Sequence, residues 1–428
     1  MRTPSLGLSL SCAFLGVATG CTNYQPIPLD LPSHESQWRD LAPAQGFTLT
    51  PAEAEAFALC ANPHLRTLRA GAGVAMAGKT LAGLWDDPNF SLGLSRRTAG
   101  GANPWLVEGG IGFSIPLSGR LEVQKKLAQQ QLDEVQASLL VAESTLLREL
   151  RLALVEHRIA GRKCRLLAAH AKNSARLAER AEQILAAGEL SRLEAGALAL
   201  TAAEATAEAA AAETEFNHAK LRLVELLGLR PEAPLVVTGE TAPWQAPTEP
   251  QARLDQHPRL LQVKAEYAAA EAAYELEVCK QRPDLDIGPT VKWENGQSNL
   301  GFGLGLPIPA WNRNRLAIAR AEAHRNAVKA AAEEVHQNLR HALAQADDKY
   351  ASSQARIRQL KTLVPRLAAW DQQLQSLLAS GEGDPLRLGD VLQRRRNSSL
   401  SLLEAEYDAA VAVIELRSLL QAVPSPER

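Results

Sequence analysis

Apolar and polar residues alternate along four short stretches of this chain. Phe90, Leu92 and Leu94 alternate with Ser91, Gly93 and Ser95. Val107, Ile111, Phe113 and Ile115 alternate with Glu108, Gly110, Gly112 and Ser114. Leu285, Ile287, Val291 and Trp293 alternate with Asp286, Gly288, Thr290 and Lys292. Leu300, Phe302, Leu304, Leu306 and Ile308 alternate with Gly301, Gly303 and Gly305. A period of two puts one set on each face of a strand. The pattern predicts strands at about 88–97, 106–116, 284–294 and 299–308, long enough to cross a bilayer when tilted.

Between and after these strands the pattern is helical and Ala-rich. It predicts a helix from Pro51 to Trp85, a very long one from Gly119 to Ala187, and a third from Ser191 to Leu227. Helices at about 251–281, 313–380 and 385–422 follow. The stretch before Ala187 spans on the order of 100 Å at 1.5 Å per residue. Apolar clusters such as Leu139-Leu140-Val141, Leu146-Leu147 and Leu150 recur at heptad-like spacing, which suits coiled-coil partners. Pro365 falls inside the second long helix, where a kink is expected. Residues 21–50 are expected to be an extended tether, 229–250 an inter-repeat linker, and 423–428 a tail.

The order of elements occurs twice. Asn62-Pro63-His64-Leu65 is echoed by His257-Pro258-Arg259-Leu260, and Asp87-Pro88-Asn89 by Arg282-Pro283-Asp284. Gly112-Phe113-Ser114-Ile115-Pro116 is echoed by Gly303-Leu304-Gly305-Leu306-Pro307, and Ala187-Gly188-Glu189 by Ser380-Gly381-Glu382. The offset stays at about 191 to 195 residues, which marks two whole structural units, residues 51–228 and 251–422.

Two isolated hairpins between such long helices are an odd arrangement for a soluble sheet. A membrane barrel turns its apolar row to lipid and its small or polar row to water. Trp85, Trp105, Trp293 and Trp311 lie near strand ends, where interfacial aromatics belong. Four strands cannot close a barrel, and open edges are not tolerated in lipid. Several chains must therefore combine; three copies give twelve strands in a symmetric ring. The expected fold is mainly α with a small membrane β part, in two tandem repeats of helix, β-hairpin, long helix and helix.

Gly188 and Gly381 sit where long helices end, in positions suited to a left-handed conformation. Ser191-Arg192-Leu193-Glu194 has the form of a capping box. At the equivalent place, Asp384 followed by Pro385 reads as an N-cap with proline at the first helical position. Under threefold symmetry Glu189, Glu382 and Asp384 would form acidic rings that favour cations. Arg192 and Arg387 are placed to pair with these acids, although pairs so exposed are individually weak. Solvated caps without selectivity are the alternative reading of these tips.

The arrangement resembles the TolC-like outer-membrane efflux protein family over nearly the whole mature chain. The resemblance rests on the two Asn-Pro-x-Leu-like helix starts, the Pro-Asn and Pro-Asp strand starts, the Ile-Pro and Leu-Pro strand exits and the Gly-Glu tips. It implies a trimer with a twelve-stranded barrel continuous with a helical periplasmic tunnel. It also implies a passive exit duct served by a periplasmic adaptor and an inner-membrane pump. Gly188, Leu190, Ser191, Gly381 and Asp384 then become candidate adaptor contacts, and Glu189, Glu382, Asp384, Arg192 and Arg387 candidate gate residues. The run Leu306-Pro307-Ile308-Pro309-Ala310-Trp311-Asn312-Arg313-Asn314 is similar to the strand exit of the heavy-metal resistance branch, with Ala310-Trp311 where Leu-Phe is usual. Multidrug efflux or type I protein secretion by the same channel stays open. So does a different class, a periplasmic coiled-coil adaptor or structural lipoprotein.

Composition adds limits. The 428 residues are 46% hydrophobic but only 4% aromatic, less ring content than a compact globule of this size usually buries. A net charge of -2 gives no argument for nucleic acid. Residues 1–20 read as a signal peptide: Arg2, an apolar run from Leu6 to Val17 too short to span a bilayer, then Ala18-Thr19-Gly20 before Cys21. This resembles a bacterial lipoprotein signal, with Cys21 as the lipid attachment point and outer-membrane lipid as a partner; an ordinary secretory signal is the alternative. Cys60, Cys164 and Cys279 have neither disulfide nor zinc spacing. His336 and His341, five apart, do not share a helix face as i, i+4 residues would. No catalytic motif is present, so no enzyme, metal site or cofactor beyond the covalent lipid is expected.

Overall fold

The computed structural model describes residues 24–40, 47–98, 105–238, 254–294 and 297–420. The expected signal segment, Cys21, the linker beyond residue 238 and the 423–428 tail lie outside them.

The elements in chain order are α1 (Leu31–Asp40), β1 (Phe47–Leu49), α2 (Pro51–Ala61), α3 (Pro63–Leu81), β2 (Asn89–Arg96), β3 (Trp105–Ile115), α4 (Arg120–Ala186), α5 (Arg192–Leu226), β4 (Leu235–Val237), α6 (Pro258–Cys279), β5 (Leu285–Glu294), β6 (Gln297–Gly305), α7 (Arg315–Ala379) and α8 (Pro385–Leu420). A short 3-10 turn, Leu254–Gln256, precedes α6. The 67-residue α4 is about 100 Å long, and the 65-residue α7 is nearly its equal. No helix among the described residues is long and apolar enough to cross a membrane.

Two expectations change. The segment expected to be an extended tether contains the helix α1, and β1 pairs in parallel with β4 of the expected linker, Phe47 opposite Leu235 and Leu49 opposite Val237. Trp38 fixes this N-terminal segment by donating its indole N–H to the Gly228 carbonyl at 2.7 Å. The helix expected from Pro51 to Trp85 breaks at Asn62, because Pro63 starts a new helix there. The Asn62 side chain accepts from the N–H groups of His64 and Leu65 and donates to the Leu226 carbonyl, so it caps α3 and ties it to the end of α5. Pro365 lies inside α7, whose helical assignment runs through it from Arg315 to Ala379.

The four membrane-length strands form one antiparallel sheet in the order β2-β3-β5-β6, so the two repeats meet at the β3-β5 pair. Below the sheet the helices stand side by side. α4 packs on α5 and on α8, α8 packs on α7, and α6 lies against both α4 and α7. In the half distal to the sheet the wall therefore reads α5-α4-α8-α7. Its glue is aliphatic: one cluster joins Leu146, Leu150 and Leu154 of α4 to Leu223 and Leu227 at the end of α5, and another joins Val155 of α4 to Ala410 and Ile414 of α8. The abundant buried alanines, Ala202, Ala205, Ala212 and Ala219 on α5 and Ala405, Ala409, Ala410 and Ala412 on α8, let these long helices approach closely. Ion pairs such as Arg148–Glu415 at 2.9 Å between α4 and α8 flank the seams. Being half exposed, they add specificity of register more than stability.

Candidate conduit: the strand sheet and the hairpin tips

The register of the sheet sorts its residues into two rows. Phe90 lies opposite Ile111, Leu94 opposite Val107, Val107 opposite Trp293, Phe113 opposite Ile287, Val291 opposite Leu300, and Ile287 opposite Leu304. The other row holds Ser91, Gly93, Glu108, Gly110, Ser114, Asp286, Thr290, Lys292, Gly301 and Gly303. The apolar row is not covered by the rest of the chain: Phe90, Leu92, Leu94, Phe113, Leu300, Phe302 and Leu304 are all exposed, Leu300 at 81%. So continuous an apolar face needs another apolar phase or partner. Trp105 and Trp293 mark one end of the strands and Trp85 and Trp311 the other, all four exposed. Two aromatic levels separated by one strand length match the two interfaces of a bilayer.

The polar row has its own pairing. Glu108 faces Lys292 across β3 and β5, and Arg97 pairs with Glu294. At the helical end, Ser114 donates to Asp286, and Arg120 at the start of α4 grips both Asp86 and Asp284. Arg120 thus joins the approach to β2 and the approach to β5, which keeps the two hairpins in one sheet.

At the far end the long helices turn back. Gly188 and Gly381 both have φ +83, and both tips close the same way. The Glu189 N–H donates to the Ile184 carbonyl and the Gly188 N–H to Leu185; Glu382 and Gly381 do likewise to Leu377 and Leu378. These are Schellman closures in register with the repeat. Ser191 and Glu194 complete the capping box reciprocally, and the Asp384 carboxylate caps α8 by accepting from the Leu386 N–H at 2.9 Å. Each cap stabilises its helix by about 1 kcal/mol. The Glu194 carboxyl is held below its usual range by the hydrogen bonds from the Ser191 side chain and backbone.

The remaining tip residues separate into two groups. Gly188, Glu189, Ser191, Arg192, Gly381, Glu382, Asp384 and Arg387 are exposed. Leu190 instead packs against a cluster of Leu177, Ala181, Leu198, Leu378, Leu388 and Leu392 that binds the two hairpins together. Its counterpart in the second repeat is Gly383, where an added Cβ would lie 2.4 Å from the Leu378 nitrogen. Arg387 pairs with Asp384 at 3.5 Å inside its own helical turn, and Arg192 has no ion pair among the described residues. Neither arginine bridges the two hairpins of the chain.

Sequence reasoning missed the buried charged pairs behind the tips, one inside the second hairpin and one that bridges the two. Arg394, Arg395 and Arg396 follow one another on α8. Arg395 pairs with the fully buried Asp371 of α7, and Arg396 pairs with Glu208 of α5 at 2.9 Å. His170 of α4 is buried beside this second pair, and its Nε2, the Glu208 Oε2 and the Arg396 Nε have no hydrogen-bond partner. The signal was present as an arginine run some four turns above a hairpin tip, but nothing in it distinguishes inward from outward arginines.

Burial, and then the Arg396 charge, push His170 below the ordinary histidine value, against the pull of Glu208. His157 and His257 shift the same way, through burial first and then Lys220 and Arg259. A histidine whose folded value is lowered binds its proton more readily when unfolded. Its share of stability is therefore present above about 6.5, the unfolded value, and is lost as pH falls below that towards the folded one. Thermal unfolding of the helical signal is expected to soften between pH 7 and pH 5, and His170→Phe is expected to flatten part of that slope. An unchanged slope in the variant would remove His170 as a contributor.

Among the described residues no three His, Cys, Asp or Glu side chains converge as a metal site. His336 is half-buried and His341 exposed on α7.

Comparison with known proteins agrees with this geometry. Residues 250–421, the second repeat, match the family model described as outer membrane efflux protein. No curated protein matches the chain. Among solved structures, the outer-membrane channel OprN superposes with TM-score 0.75 at 18% identity, over 86% of this chain and 89% of that one. CusC, solved in structures that address its folding and transmembrane channel formation, superposes with TM-score 0.74 at 18% identity, over 94% and 99%. The outer membrane protein VceC of Vibrio cholerae gives 0.71 at 16% identity, over 86% and 95%. The family and these structures are those of channels rather than enzymes. The second repeat therefore matches the outer membrane efflux protein model, and the chain as a whole has the fold of the outer-membrane channels OprN and CusC.

Proposed function

We propose that three copies of this chain form an exit duct across the bacterial outer membrane, passive in itself and extending into the periplasm. The carrying observation is the sheet: four membrane-length strands with an exposed apolar row, a polar row opposite, and two outer edges, β2 and β6, unpaired among the described residues. Backbone edges in lipid must be paired, and twelve strands from three copies supply a closed ring with the polar row inside. The helical hairpins continue that ring towards the periplasm. An adaptor protein meeting the exposed tip residues Gly188, Ser191, Gly381 and Asp384, and an inner-membrane pump behind it, provide cargo and energy. Leu190 supports the tip from within. Cys21 supplies a lipid anchor to the outer membrane.

For cargo, heavy-metal cations exported by a resistance-nodulation-division pump are the reading we favour over drugs or polypeptides. It is supported by the Leu306–Asn314 sequence and by the acidic Glu189, Glu382 and Asp384 at the exposed tips, which threefold symmetry would turn into rings. Purified protein in planar bilayers is expected to show trimers and single-channel conductance. Absence of both would return the chain to the adaptor or structural lipoprotein class. Deletion is expected to lower tolerance to zinc, cobalt, cadmium or copper; lost drug tolerance with metal tolerance intact would overturn the metal reading.

A further inference from the structure

Three arginines of α4 stand fourteen residues apart, Arg148, Arg162 and Arg176. Fourteen residues are two heptads, so the three fall near one stripe of the helix. The first two pair with acids of α8, Arg148 with Glu415 and Arg162 with Glu406. The third finds no such partner. Arg176 is exposed and has no ion pair among the described residues. Nor has Arg180 one turn further on, whose guanidinium donates to Gln183 of its own helix at 2.9 Å. Asp390, the acid of α8 nearest the tip, pairs with Arg394 on its own helix at 2.8 Å.

Where the third acid would stand there is a groove. It has a volume of about 400 Å³ and lies where the two hairpins meet, with Arg176 and Arg180 on its α4 side. Its floor is Leu177 of α4, Leu378 of α7, and Leu388 and Leu392 of α8. None of these leucines is more than 9% exposed, so the groove is narrow where it is apolar. A helix, about 10 Å across, cannot reach surfaces so little open. A single alkyl chain can, and the volume falls within the range of about 300–1,000 Å³ that small-molecule sites occupy.

We propose that this groove binds an anionic amphiphile, a carboxylate or sulfate carried on one alkyl chain. The head sits on Arg176 and Arg180 and supplies the acid that α8 gives to Arg148 and Arg162. Residues four apart on a helix are neighbours, and a guanidinium holds an oxyanion through paired, charge-assisted hydrogen bonds. The tail lies along the four leucines and gains by leaving water. A free fatty acid and an alkyl sulfate share this chemistry. The lining comes from both hairpins, so the ligand ties α4 to α7 and α8 close above the tips. All of it belongs to one copy, so the site stands apart from the ring proposed above.

The test is calorimetric titration of the full chain in nanodiscs of zwitterionic phosphatidylcholine, with empty nanodiscs subtracted. Octanoate and octyl sulfate are each expected to fill one saturable site per copy, and acetate and octylamine none. Arg176→Gln with Arg180→Gln is expected to weaken octanoate at least tenfold while leaving the helical circular dichroism unchanged. Arg176→Glu with Arg180→Glu is expected to turn the preference towards octylamine. Absence of saturable octanoate binding overturns the site and leaves the two arginines to an acidic side chain of a protein partner. Equal binding of octylamine would mean a groove indifferent to charge, and equal binding of acetate an anion site that ignores the tail; either overturns the proposal. So does undiminished octanoate binding in the glutamine variant, which would place the ligand elsewhere. The site is counted per copy, so a negative result leaves the ring standing, and a protein that proves monomeric leaves the site testable.

Discussion

Replacing Gly288 with alanine is expected to abolish assembly of the membrane sheet. A Cβ at this position would lie 1.9 Å from the Ile111 carbonyl oxygen, 2.9 Å from the Ile111 carbonyl carbon and 3.0 Å from the Gly112 Cα. All three are backbone atoms of the neighbouring strand, so no side chain can swing aside. β3 would have to move away from β5 at the one junction that joins the two repeats within the sheet. That junction is already weak here: the ladder between β3 and β5 holds from Val107 to Gly110 and from Phe113 to Ile115, with Ile111 and Gly112 left out opposite Pro289 and Gly288. Pro289 has no N–H to give to a ladder, which accounts for the gap on its side. Forcing a methyl group into packed backbone costs about 1–3 kcal/mol, occasionally more, and in the proposed trimer the loss falls on a contact that every copy needs. The expected result is loss of trimer from the outer-membrane fraction. Gly303→Ala is the control, since its nearest neighbour, the Gly288 carbonyl oxygen, would stand at 3.7 Å. A Gly288→Ala protein that assembles like the parent would show that the strands do not approach so closely in the membrane.

Gly288 also illustrates what the sequence disclosed and what it withheld. Its place in an alternating strand was legible, because the period of two survives even around Pro289. The closeness of β3 was not, because a glycine in a small-residue row looks like any other. The tips were legible in detail: glycine followed by a cap within three residues is a local signal, and both turns close through bonds spanning at most five residues. Elements that depend on distant partners were not. β1 and β4 are three-residue strands whose pairing joins Phe47 to Leu235, and neither has length enough to announce itself. The break at Asn62 was half visible, since Asn-Pro was recognised as a helix start in the repeat comparison while the helical pattern ran on across it. α7 continues through Pro365 because a single lost backbone bond is small beside the packing of a 65-residue helix on α8 and α6. Long helices of mixed charge hide their buried polar residues best. Heptad spacing marks the apolar positions of α7, and Asp371 occupies one of them between Leu367 and Leu378.

Arg395→Ala is accordingly expected to destabilise the distal hairpin of α7 and α8 more than any other single charge removal. Asp371 is fully buried and keeps two partners, Arg395 across the seam and Gln375, which donates one turn along its own helix at 2.7 Å. Removing the arginine leaves a buried carboxylate with one neutral donor. Breaking a buried pair from one side costs about 3–5 kcal/mol, and the lower end applies because the Arg395 side chain is itself 41% exposed. The loss should appear as a lower midpoint in urea unfolding followed by helical circular dichroism, with early opening near the tip in hydrogen exchange. Replacing both partners, Asp371→Leu with Arg395→Met, is expected to recover most of it, since the cost lies in the stranded charge and not in the absence of the pair. The two outcomes separate roles that the geometry alone leaves joined. If the double variant is stable and conducts as the parent does, the pair serves register between the helices. If it is stable but leaks ions from the periplasmic side, the pair restrains the tip, and neighbouring Arg396 with Glu208 and His170 becomes the place where the two hairpins are released from each other.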